Sequence, residues 1–196
     1  MVERLRQRIS QEALTGVTAE VMDGQALAVP DASFDAAVSI LGLIFFPDIP
    51  KGIAEMRRVL RPGGRAAIVC WSDPGNLRLM TQVVQAIRKV DPAFEPPAGT
   101  PVWARLAGAE ILRARMEEAG FSDVEVSTAT GVLEIESLEA WERFTRSVPP
   151  LAFLFQRLGP EKTAAVGRVY LDLLVAASED GTPTVSADAC IGLGWA

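Results

Sequence analysis

Two apolar runs with a helical stretch between them constrain this chain most: residues 34–41 and 65–71 are nearly continuous in apolar side chains. A strand with one wet face alternates apolar and polar positions, whereas a run of this kind is buried on both faces, as in a parallel α/β sheet. Between the runs Ile53, Met56 and Leu60 recur at helical spacing, and Pro62-Gly63-Gly64 supplies a stop and a turn with permissive φ angles. Upstream, Val2, Leu5, Ile9 and Ala13 share one face of an amphipathic stretch, which predicts a helix over 2–14 ended by Gly16. A short strand over 17–22 and a loop to Ser33 follow. Helix and strand thus alternate up to Trp71, and the expected fold is α/β: a Rossmann-like open, mainly parallel sheet with helices on both faces.

Beyond Trp71 the pattern loosens. Asp73-Pro74-Gly75-Asn76 is turn chemistry, residues 77–90 read as a helix, and 91–101 as a proline-rich loop. A helix over 105–119 ends at Gly120, in the C-terminal capping position. Residues 121–135 read as one long strand or two short ones, and 187–195 as a closing strand. The two would complete the sheet, one of them antiparallel. Between them, 137–147 and 151–178 read as helices broken at Pro149-Pro150 and at Gly159-Pro160, the latter a stop followed by an N-terminal proline. Residues 137–178 would be a helical insertion near the C-terminus.

A length of 196 residues with 49% hydrophobic content favours one domain with one sizeable core. The net charge of −6 argues against a nucleic-acid surface, which needs clustered Lys and Arg. No apolar run approaches the roughly 20 residues that span a bilayer, and the first residues are charged and amphipathic, unlike a signal peptide, so a cytoplasmic protein is expected. Cys70 and Cys190 lie too far apart in sequence for a metal knuckle or a disulfide framework, and both sit in apolar runs that predict buried, reduced thiols. The absence of histidine excludes Ser-His and Cys-His nucleophiles and histidine-ligated zinc, and no metal site is expected. Acid-base work would fall to Asp, Glu or the single Tyr170.

The segment from Val21 to Asp48 carries Asp23-Gly24-Gln25, then Val29-Pro30-Asp31, Ser33-Phe34-Asp35 and Phe45-Phe46-Pro47 in order. It closes with Met56-Arg57-Arg58-Val59-Leu60-Arg61-Pro62-Gly63-Gly64-Arg65. This succession resembles the middle of a class I S-adenosylmethionine-dependent methyltransferase, within the small-molecule, quinone-biosynthesis-like type 11 group. The resemblance is specific over residues 1–71 and follows the rest in outline. It implies S-adenosyl-L-methionine as cofactor and a small-molecule acceptor. Carried over by position, Asp23 would accept a hydrogen bond from the adenine amino group, Gly24 and Gln25 would offer backbone contacts to the ring, and Ser39 with Ile40 would lie near the methionine end. Residues 137–178 would be a candidate substrate cap. Asp35 is expected to be structural. Phe45, Phe46 and Pro47 would line a substrate pocket or pack onto a helix, and Trp71 with Trp103 would form an aromatic wall or belong to the core.

The family's glycine-rich turn and the carboxylate at the end of its second strand lie upstream of the matched segment. No G-x-G-x-G occurs in the sequence, and Gly192-Leu193-Gly194 is a partial match in a terminal strand. The resemblance therefore implies a single domain, 1–196, that lacks its N-terminal glycine-rich segment and holds only the adenine side and one flank of the methionine. Two further expectations follow from the family's strand order. Either the strand at 17–22 moves to pair with the strand at 34–41, or the exposed sheet edge is used in self-association. Two functional readings stay open: methyl transfer to a small molecule, and a non-catalytic, degenerate methyltransferase fold acting as a partner subunit. A nicotinamide-dependent oxidoreductase would need its own glycine fingerprint, which the sequence does not contain.

Overall fold

The computed structural model describes residues 1–196 except 74, 76, 97 and 98, and at 149 and 150 the backbone alone. Half of the expected turn at residues 73–76 therefore lies outside the described residues. The sheet consists of β1 (Phe34–Ile40), β2 (Leu60–Trp71), β3 (Ser122–Glu134) and β4 (Thr184–Trp195), in the order β1-β2-β4-β3. β1 and β2 are parallel, and β4 runs antiparallel to both of its neighbours. The helices are α1 (Val2–Gln11), α2 (Ile49–Val59), α3 (Arg78–Val90), α4 (Ala109–Glu118), α5 (Leu138–Ser147), α6 (Pro149–Leu158) and α7 (Pro160–Ala177). The last three form the insertion between β3 and β4.

The two faces of the sheet are covered differently. Ala66, Ile68 and Cys70 of β2 point to one side, where Ile53 and Met56 of α2 and Leu112 and Met116 of α4 complete a dry core. α4 approaches β4 closely because a Cβ at Gly192 would stand 2.7 Å from the Met116 sulfur. On the other side α3 and α5 reach only the carboxyl end of β2, and Val38, Ile40 and Leu193 remain 64%, 71% and 41% exposed. A second core joins α3, α5, α6 and α7 around Trp141, whose ring stacks on Tyr170 at 4.3 Å and meets Phe155 edge-on at 5.5 Å.

Four sequence expectations are corrected. Residues 17–22 form no strand: the chain does not lay them along the outer edge of β1, which has no partner among the described residues. Leu41 N–H donates to Val69 O at 3.0 Å, so the alternation of a parallel ladder leaves the N–H and C=O groups of Ala36, Val38 and Ile40 turned outward. β2 begins at Leu60, not at Arg65: the Pro62-Gly63-Gly64 turn stays in the strand as an irregularity between Phe34 and Ala36 of the partner. A Cβ at Gly64 would lie 2.9 Å from Arg61 O and 3.2 Å from Asp35 O. The helix expected over 105–119 starts at Ala109, because Gly108 adopts φ +107 and donates its N–H to Trp71 O, with a separate 3-10 turn at Val102–Ala104. Pro149 and Pro150 open α6, where the first helical positions require no donor.

Cys70 and Cys190 face each other in the β2–β4 register as buried free thiols. Among the described residues no helix is long and apolar enough to cross a membrane, and no cluster of potential ligands suits a metal ion.

Candidate functional site

The carboxyl end of β1 is built from local backbone chemistry. Leu41 turns the chain with φ +53, Ser39 Oγ accepts from Leu43 N–H at 3.2 Å, and a 3-10 turn over Leu43–Phe45 leads to α2. Asp48 caps α2 by accepting from Lys51 N–H at 3.0 Å. Ser39 is half-buried and Ile40 is exposed on the open face.

Asp23, Gly24 and Gln25 are held against this end from the other side. Asp23 Oδ1 accepts the Gln25 N–H at 2.9 Å, closing a tight turn, and Gln25 Oε1 accepts the Asp48 N–H at 2.7 Å. The Phe46 ring lies between two glycines: a Cβ at Gly24 would stand 2.3 Å from its tip, and one at Gly52 2.5 Å from its side. Phe46 is thus a packing residue that seats the acidic turn on α2, and Phe45 is 49% exposed. The structure brings Asp23–Gln25 to the segment that follows Ser39 and Ile40, at one end of the sheet. Asp23 is exposed, and its Oδ2 has no hydrogen-bond partner among the described residues.

The rest of the loop is fixed by two residues to which the sequence reading gave no role. Arg58 donates to Leu27 O and Val29 O, both at 3.0 Å, and to Asp31, while Glu55 accepts from Leu27 N–H at 2.8 Å and from Arg58 Nε at 2.8 Å. The Arg58 guanidinium, then the Leu27 amide, hold the Glu55 carboxyl down at about 2. Their signal in the sequence is the Glu55/Arg58 spacing of three on a helix, which by itself describes an ordinary surface pair. Asp35 pairs with Arg61 at the surface. Trp71 and Trp103 both pack against the core that α2 and α4 complete, and Trp71 also borders the open side of the sheet.

In open α/β folds ligands bind outside the carboxyl ends of the strands, which is where these residues stand. An exposed carboxylate oxygen at a rigid turn suits an amino group in the plane of an aromatic ring, while the Gln25 N–H is already given to Asp23.

Residues 1–68 match the family model of a methyltransferase domain. Among curated proteins, one from Mycobacterium tuberculosis is 29% identical over 139 residues, covering 71% of this chain and 47% of its own length. A demethylmenaquinone methyltransferase of Mycolicibacterium gilvum is 34% identical over 118 residues, covering 56% of this chain and 52% of its own. The chain spans about half the length of the curated relatives it matches. Among solved structures, a putative methyltransferase of Bacillus halodurans superposes with a TM-score of 0.59 at 18% identity, covering 99% of this chain and 78% of its own, a likeness of fold. By its domain match over residues 1–68 and its relatives, the chain is similar to methyltransferases, and its fold is like that of a solved one.

Proposed function

We propose that this protein takes part in methyl transfer from S-adenosyl-L-methionine to a small-molecule acceptor in the cytoplasm, with Asp23, Gly24 and Gln25 on the adenine side, Ser39 and Ile40 near the methionine end, and α5 to α7 as the substrate cap. The observation that carries it is the Asp23 turn, locked by the Gln25–Asp48 hydrogen bond and the Phe46–Gly24 contact beside the end of β1. Held by these residues, the cofactor would supply an electrophilic methyl group on a positively charged sulfur, the sulfur keeping the electron pair of the broken bond. The chain's residues then have three tasks: Asp23 orients the adenine, Ile40 presents an apolar flank to the methionine end, and the cap excludes water. Such an in-line displacement depends on placement and shielding and needs no fixed base.

Calorimetric titration of the 196-residue chain with S-adenosylmethionine tests this. Saturable binding that Asp23→Ala weakens about tenfold, the worth of one hydrogen bond to a charged group, supports it. Equal affinity in both proteins would remove Asp23 from the site.

The open edge of β1 favours a second, compatible role as one half of a self-associating pair, which is also how a non-catalytic partner subunit would use it. Outward N–H and C=O groups at Ala36, Val38 and Ile40 form a pairing template. Sedimentation equilibrium is expected to give twice the 21.0 kDa chain mass, and Val38→Lys to return it to one. A wild-type monomer at tens of micromolar would dismiss this role.

A further inference from the structure

Two prolines interrupt the backbone bonding just beyond the end of β1. Pro47 and Pro50 carry no N–H, and the N–H groups of Asp48 and Lys51 are given to Gln25 Oε1 and Asp48 Oδ1. Among the described residues the carbonyls of Ile44, Phe46 and Pro47 therefore receive no backbone hydrogen bond, although Ile44 is buried. Carbonyls so placed need a side chain or water to answer them. Arg105 answers all three: Nη1 donates to Pro47 O at 3.4 Å, and Nη2 donates to Ile44 O at 3.5 Å and to Phe46 O.

The base from which Arg105 reaches is firm. It stands between the buried Ala104 and Leu106 in the loop that joins α3 to α4, and Gly108 ties that loop to the end of β2 by donating to Trp71 O at 3.1 Å. Trp103 packs the same loop onto the core. A planar guanidinium can serve several carbonyls from one side, which the point charge of a lysine does less well. The segment after β1 is thereby held from two sides. On one side the Asp23 turn is seated on it, through Gln25 at the Asp48 N–H and Gly24 against the Phe46 ring. On the other stands Arg105. The Pro47–Asp48 peptide is the link between them: its C=O accepts from Arg105 and its N–H donates to Gln25, so the two bonds lie across one rigid plane.

Resting on the function proposed above, we infer that Arg105 is a positioning residue for methyl transfer: through the Pro47–Asp48 peptide it sets where the Asp23 turn stands, and so how tightly the adenine end of the cofactor is held, without itself touching the cofactor. Arg105 is exposed, so its loss costs the fold little and acts on the turn.

A double-mutant cycle on the 196-residue chain, read by calorimetric titration with S-adenosylmethionine, tests this. Arg105→Ala is expected to weaken binding about fivefold, less than Asp23→Ala, because the contact of Gly24 with Phe46 remains. The double variant should bind no more weakly than Asp23→Ala alone, since Arg105 acts only through that turn. Arg105→Lys should fall between the wild type and Arg105→Ala. Hydrogen exchange without cofactor supplies a second readout: the Asp48 amide should exchange faster in Arg105→Ala, with the urea midpoint unchanged. Wild-type affinity in Arg105→Ala, losses that multiply to about fiftyfold in the double variant, or unchanged protection at Asp48 would each overturn the inference. A wild-type chain that binds no cofactor would instead sink the function proposed above, and the exchange at Asp48, measured without cofactor, would still decide whether Arg105 seats the turn.

Discussion

Replacing Glu55 with glutamine tests how the acidic loop is held. Glu55 is 17% exposed and ties Leu27 to Arg58 on α2, and its carboxyl lies at about 2 against an ordinary 4.5. A shift of that size corresponds to about 3.5 kcal/mol at most, at roughly 1.4 kcal/mol per unit. Water at the rim of the pair and the amide's remaining hydrogen bonds reduce the expected cost of Glu55→Gln to about 2 kcal/mol at pH 7. The sign follows from the depressed value. The ionised carboxylate stabilises the fold above pH 4.5, and this contribution drains away as pH falls towards 2, while the glutamine variant has nothing of the kind to lose. The gap between the two proteins in urea denaturation should therefore narrow to about half by pH 3. Hydrogen exchange adds a local readout: the Leu27 amide, bonded to the Glu55 carboxylate, should exchange faster in the variant at pH 7. A gap of equal size at pH 7 and pH 3, or unchanged protection at Leu27, would show that the loop is seated by packing alone.

Gly24→Ala drives a methyl group into the Phe46 ring, which Gly52 prevents from retreating, and should cost about 1–3 kcal/mol and weaken cofactor binding about tenfold; wild-type affinity in the variant would mean that the turn moves freely. Cys70, fully buried and raised to about 12 by desolvation and then by Cys190, should resist Ellman's reagent at pH 8 in the native protein and react at once in urea. Rapid native labelling would show that the β2–β4 ladder opens. Trp141→Ala removes the centre of the second core and should lower stability by about 3–5 kcal/mol, read as a fall in urea midpoint; a loss below 1 kcal/mol would mean that α5 to α7 fold as a loose appendage.

What could be read in the sequence was whatever repeats with a local period. The apolar runs at β1 and β2, the helical spacing of Ile53 and Met56, and the stops at Gly120 and Gly159 are short-range patterns, and each became an element or its end, with β2 starting five residues early. The strand expected over 17–22 failed for a reason no local pattern contains: its residues suit a strand, but the chain does not bring them to the open edge of β1. Gly108 shortened α4 in the same way, through a positive φ and a bond to Trp71 O that sequence spacing cannot announce.

The sequence by itself determined the α/β class and the likeness to a methyltransferase domain over residues 1–68, because those rest on residue order and turn chemistry. Only the tertiary structure decided that Phe46 locks into Gly24 and Gly52, that Arg58 and Glu55 clamp a loop some thirty residues upstream, and that one face of the sheet stays open beside Ile40. Those facts depend on contacts between residues far apart along the chain, and which of many apolar and charged groups meet is settled by the packing of whole elements, a quantity that no window of sequence holds.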